Sequence, residues 1–229
     1  MLIRLPNLTP IFSTAILLVF SSSLAAQKDV IRQPRASSFR LEKHAEGLGH
    51  NLYITVNGRE RRVTNRAVEA WIIDGGRTVA YSWLDGSGGF ENEGQSLRLY
   101  DVRTGRIRKV LSEYFFVSAV MDVRLSNGQL ALLVSMEDGG LGGRYLAVVD
   151  PRRGEVFFRQ WAEVTRVDGN YITVAFYKED DWEEINVERA GEDSRKVISQ
   201  TKVKPAKIER YDLKRVLKRK VIHRPRSPV

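Results

Sequence analysis

Apolar residues along this chain come in short blocks, and polar turns carrying glycine separate the blocks. "EAWIIDGGRTVAYSWL" places Asp74-Gly75-Gly76 between two β-rich, aromatic runs. "VMDVRLSNGQLALLV" places Asn127-Gly128 in the same way, and "EVTRVDGNYITVAFY" places Asp168-Gly169. Asn-Gly and Asp-Gly accept the positive φ of a tight hairpin turn, so each segment predicts strand, turn, strand. Runs such as "YLAVVD" and "ITVAFY" are almost unbroken in apolar character. An unbroken short run fits a strand covered on both faces, whereas a sandwich strand alternates between inside and outside.

A second hairpin type repeats between these. "YDVRTGRIRKVL" from Tyr100 aligns without a gap to "YDLKRVLKRKVI" from Tyr211, and "VVDPRRGEVFF" keeps Asp150, Arg152, Arg153 and Gly154. "LYITVNGRERRV", Leu52 to Val63, is an earlier and weaker copy. Gly58, Gly105 and Gly154 recur at intervals of 47 and 49 residues. Four strands per unit at that period is the spacing of propeller blades. The fold expected is all-β: a propeller-like array of about four four-stranded antiparallel blades, the first incomplete, with a β-sandwich as the alternative.

The segment "WIIDGGRTVAYSW" followed by "SLRLYDVRTGRIRKVL" resembles the blade repeat of TolB-type, WD40-like bacterial propellers. Trp71, Asp74, Gly75, Ala80, Tyr81, Asp101, Thr104 and Gly105 occupy the matching places, with Ile72-Ile73 where that repeat has Ser-Pro. The likeness is clear from Leu52 to Leu111, fair to Gln160 and weak beyond. It implies a shape and no particular activity.

The chain opens with Arg4, the apolar run "IFSTAILLVF" and small residues ending at Ala25-Ala26. That is the pattern of an export signal over residues 1–26, too short in apolar length for a spanning helix, and it predicts an extracytoplasmic protein, periplasmic or secreted. Residues 27–50 read as a linker, with one edge strand at Phe39 to Lys43. Residues 51–222 read as the propeller-like domain, with a long polar insertion at 178–206 and a basic tail at 223–229. There is no cysteine, which removes disulfides and thiolate metal sites. The net charge is +9, and the segment from Lys202 onward, eleven Lys and Arg against Glu209 and Asp212, carries all of it.

Meandering connectivity sorts the charges. Arg59, Arg103, Arg106, Arg152, Arg153, Lys214 and Arg215 fall in turns at one end of the units. At the other end the connections hold Asp85, Phe90, Glu91 and Glu93, then Glu137 and Asp138, then Asp181, Trp182 and Glu183. These nine form the candidate binding surface, since function in repeat rings collects in loops at one end and aromatic side chains anchor partners. Clustered carboxylates suit calcium, but "DGSGGFENEGQ" lacks the ligand spacing of an EF-hand, with Ser87 and Gly89 in the third and fifth places, and neither metal nor cofactor is claimed. His44, His50 and His223 have no metal-ligand spacing, and no nucleophile elbow or phosphate-binding loop occurs. The expected role is a non-catalytic binding or scaffold module for protein partners in the cell envelope. Two alternatives stay open: a carbohydrate-active or other hydrolase using carboxylates of the acidic end, and a tether to anionic envelope polymers through the basic C-terminus. Nucleic acid is not an expected partner, no transmembrane segment remains after signal cleavage, and an open ring would allow a homo-oligomer.

Overall fold

The computed structural model describes residues 33–43, 49–84, 95–113, 116–137, 144–178 and 204–222. Six strands form the first sheet in simple meander order: β1 (Ala36–Lys43), β2 (His50–Val56), β3 (Arg59–Ile73), β4 (Thr78–Leu84), β5 (Gln95–Asp101) and β6 (Ile107–Glu113). The second sheet holds β7 (Phe116–Arg124), β8 (Leu130–Glu137), β9 (Arg144–Asp150) and β10 (Gly154–Gln160). The third holds β11 (Ala162–Asp168), β12 (Tyr171–Phe176) and β13 (Lys207–Asp212). Every pairing is antiparallel, and no sheet closes on itself. The fold is all-β.

The hairpin signals form turns as read. Asn57 and Gly58 both take positive φ between β2 and β3, as a tight two-residue hairpin requires. Asp74, Gly75 and Gly76 are left-handed in succession between β3 and β4. At Gly76 a Cβ would lie 2.4 Å from the Ala36 carbonyl oxygen, so only glycine fits.

Two features depart from a plain series of four-stranded units. The strand β3 serves two of them, pairing with β2 up to Ala67 and with β4 from Ala67 to Ile73. An irregularity in register between Ala67 and Ala70 marks where the sheet turns back on itself. The second departure is at the end. "YDLKRVLKRKVI" predicts a closing strand, but its middle forms one helical turn, α1 (Leu213–Val216). Asp212 caps that turn by accepting from the Lys214 N–H at 2.9 Å. Leu213, Val216 and Leu217 are all buried, which is helical spacing. The Thr-Gly that allows the tight turn at Thr104-Gly105 is here Arg215-Val216, so nothing favours a positive φ.

Three apolar clusters hold the sheets face to face. One joins Ala36, Leu52 and Ile54 to Val79, Tyr81, Tyr100 and Val102 inside the folded first sheet. The next joins Leu97, Leu99 and Leu111 to Leu132, Val134, Tyr145 and Ala147. The third joins Leu133, Leu146, Val148 and Phe157 to Ile172, Val174, Leu213 and Val216. Alternate residues of β8 and β9 therefore enter different cores, and this is why "ALLV" and "YLAVV" lack polar positions. Each fully buried side chain of this size contributes about 1.5–3 kcal/mol.

Candidate contact surface

Antiparallel order separates two ends, and hydrogen bonds between sheets show which turns share an end. At the turn end, the Asp74 N–H donates to Asp122 Oδ2 at 2.8 Å, and Asp74 also ion-pairs with Arg77 and Arg124. One sheet further on, the Ser126 N–H donates to Asn170 Oδ1 at 2.8 Å, and the Asn170 carbonyl accepts from the Leu213 N–H. A second line of bonds is made by arginines. Arg61 donates to the Val102 carbonyl, Arg108 to the Arg152 carbonyl at 2.7 Å, and Arg153 to the carbonyls of Leu217, at 2.7 Å, and Arg219. Each such arginine latches its own unit onto the corner of the following one.

The repeated aspartates complete the corners. Asp101 accepts from the Thr104 N–H at 2.7 Å and its hydroxyl at 2.8 Å, and Asp150 accepts from the Arg152 N–H at 2.8 Å. Burial pushes the Asp101 carboxyl up, but the Thr104 donors and Arg103 outweigh it and hold it below the ordinary value. The basic turns of the sequence are thus a closed, cross-linked end.

The other end is where the long connections leave, between Leu84 and Gln95, Glu137 and Arg144, and Tyr177 and Lys207. Of the nine candidate binding residues, Asp85, Phe90, Glu91, Glu93, Asp138, Asp181, Trp182 and Glu183 lie outside the described residues. Glu137 lies inside them, as the last residue of β8. Its Oε1 sits 3.2 Å from Arg144 Nε, and Arg144 Nη1 lies 3.9 Å from Glu163 Oε2. Glu163 in turn accepts from the Tyr177 hydroxyl at 2.8 Å. The backbone closes the same group: the Trp161 N–H donates to the Arg144 carbonyl and the Tyr177 N–H to the Trp161 carbonyl. Beside it run three rings, with Tyr145 stacked on Phe158 at 5.6 Å and tilted against Trp161 at 6.1 Å.

Sequence reasoning missed Arg144, Trp161, Glu163 and Tyr177 as members of this surface. Trp161 has φ near +50° between β10 and β11, a conformation that costs a bulky residue about 1–3 kcal/mol. No glycine or asparagine stands there to signal it. The residue is half-buried and packs against Ala175 and Tyr177 despite its backbone preference.

Within the cluster Arg144 bridges the two carboxylates, Glu137 and Glu163. Among the described residues, no group of three or more His, Asp or Glu converges on a cation position. No helix there is long and apolar enough to cross a membrane. No family model matches the chain, and a search of curated proteins finds no match.

Proposed function

We propose that the chain is an exported, non-catalytic binding or scaffold module that contacts protein partners in the cell envelope through its long-connection end. The observation that carries this reading is the difference between the two ends. One is closed by short turns bonded across sheets; the other releases the long connections beside Trp161, held at positive φ, and the Glu137–Arg144–Glu163–Tyr177 group. Long connections between the strands of a rigid scaffold are where recognition commonly collects. The units are read as propeller-like blades. Support comes from three successive face-to-face cores and a middle sheet covered on both sides, where a two-sheet sandwich covers each sheet on one.

Affinity capture from the native envelope tests the role, with Trp182→Ala and Trp161→Gly compared against the unchanged chain. Glycine adopts φ near +50° without strain, so relief there offsets lost ring packing, and Trp161→Gly should melt within about 1 kcal/mol of the parent. Both variants should recover less than about one tenth of the partner, the loss expected when a buried aromatic anchor is truncated. Full recovery by both variants contradicts the assignment of the surface, and recovery of nothing above background by the parent contradicts the role itself.

A further inference from the structure

We infer a second binding surface, on the outer corners of the turn end, for a linear phosphate-bearing polyanion. Arg106 and Arg108 belong to the β5–β6 corner, Arg152 and Arg153 to the β9–β10 corner, and Lys218 and Lys220 to the segment after α1. The Arg108–Arg152 and Arg153–Leu217 bonds make these three corners continuous, and the Ile222 N–H continues the line by donating to the Glu155 carbonyl. All six cations are exposed.

Several arginines meet carboxylates: Arg40 with Glu42 and Glu60, Arg124 with Asp74, Arg144 with Glu137, Arg210 with Asp168, and Arg215 with Asp212 beside the third corner, while Arg61 donates to a carbonyl. Among the described residues none of the six corner cations makes an ion pair. Arg108 and Arg153 donate to neutral carbonyls, which fixes each guanidinium and leaves its charge uncancelled. Of the nearby acids, Asp101, Asp150 and Asp212 cap their own turns, Asp212 also pairing with Arg215, and Glu155 is 5% exposed. Packed sheets lie about 10 Å apart in general, and the Arg108–Arg152 and Arg153–Leu217 bonds make the corner cations of successive sheets neighbours. Arginine suits phosphate oxygens, and a row of fixed cations suits a chain of them. The corners bear no exposed aromatic among their described residues, and single-strand nucleic-acid surfaces use such rings to stack bases. The geometry therefore favours a simple polyphosphate-like chain over nucleic acid.

The test is binding of long-chain inorganic polyphosphate to the full chain in 0.1 M salt, with a single-stranded oligonucleotide of equal charge as comparison. The variant Arg106→Gln/Arg152→Gln/Lys218→Gln/Lys220→Gln should bind polyphosphate about ten-fold more weakly, with a shallower salt dependence. A control with the same charge change on other faces, Lys43→Gln/Arg62→Gln/Arg166→Gln/Lys178→Gln, should lose less than about three-fold. Equal losses in the two would reduce the effect to net charge and overturn the surface, as would no loss in the first. Tighter binding of the oligonucleotide would overturn the choice of polymer. Amine acetylation of the unmutated chain gives a reading independent of variant folding. Polyphosphate should protect Lys218 and Lys220 but not Lys43 and Lys178, and equal protection would contradict the proposal.

Discussion

Single residues in this chain serve as turn formers, caps and latches, and the sequence exposes the first kind far better than the others. Gly58, Gly128 and Gly169 are legible because a positive φ has a compositional signature. Trp161 adopts the same region without one. Tyr81 belongs to the blade-like pattern, yet its depth is a tertiary fact. It is fully buried, no described group lies in hydrogen-bonding geometry with its hydroxyl, and burial pushes the phenol up to about 12 against the pull of Arg98. The folded state thus holds a proton that an unfolded tyrosine releases near pH 10. The stability contribution is complete below pH 10 and is lost as pH rises from there through about 12. Tyr81→Phe should abolish that share of the alkaline loss, and at pH 7 it should leave stability equal or raise it by up to about 1 kcal/mol, since an unsatisfied hydroxyl is removed. Denaturant melts at pH 7 and pH 11 check both. A cost above about 2 kcal/mol at pH 7 would mean the hydroxyl is bonded after all.

At the scale of elements, strands and turns were readable from period and turn chemistry, while continuity and termination were not. Nothing local tells that β3 runs unbroken through two units, because Ala67–Ala70 looks like any apolar stretch and the bend comes from two partner strands pulling in different directions. The helical turn α1 escaped because strand and helix share the short pattern "LKRVL", and burial of Leu213, Val216 and Leu217 together decides it. The arginine latches span 41, 44 and 64 positions, beyond any local pattern. Their energetic role is testable in one residue. Arg153→Gln forfeits two carbonyl acceptors on the α1 side and should cost about 1–2 kcal/mol, whereas Arg152→Gln, whose side chain makes no described hydrogen bond, should change stability by less than about 0.5 kcal/mol. Chemical denaturation measures both. Equal costs would remove the latch from the account.

For the molecule as a whole, the arrangement is serial: each sheet covers the next, and the two terminal sheets mix charged groups with exposed apolar ones where described, Phe39 on the first and Tyr171 and Ile208 on the last. The first carries Arg40 over the Tyr53 ring and paired with Glu42 and Glu60; the last carries Arg210 over Tyr171 and paired with Asp168. Charged groups on the outermost strands are one way in which stacked units end in water. Between those sheets, the sorting of a cross-linked turn end from a long-connection end organises both proposed surfaces. The sequence conveyed that sorting through connectivity alone. It could not convey the Arg144 group, which joins β8, β9, β11 and the residue after β12. Site-specific photocrosslinking in the native envelope tests the central claim most directly, with the reactive residue placed at Glu137 or Trp161 and, for the opposite end, at Ser126 or Asn170. The account predicts a discrete crosslinked protein partner from the first two positions and none from the last two. A partner crosslinked from Ser126 or Asn170 but not from Glu137 or Trp161 would contradict it.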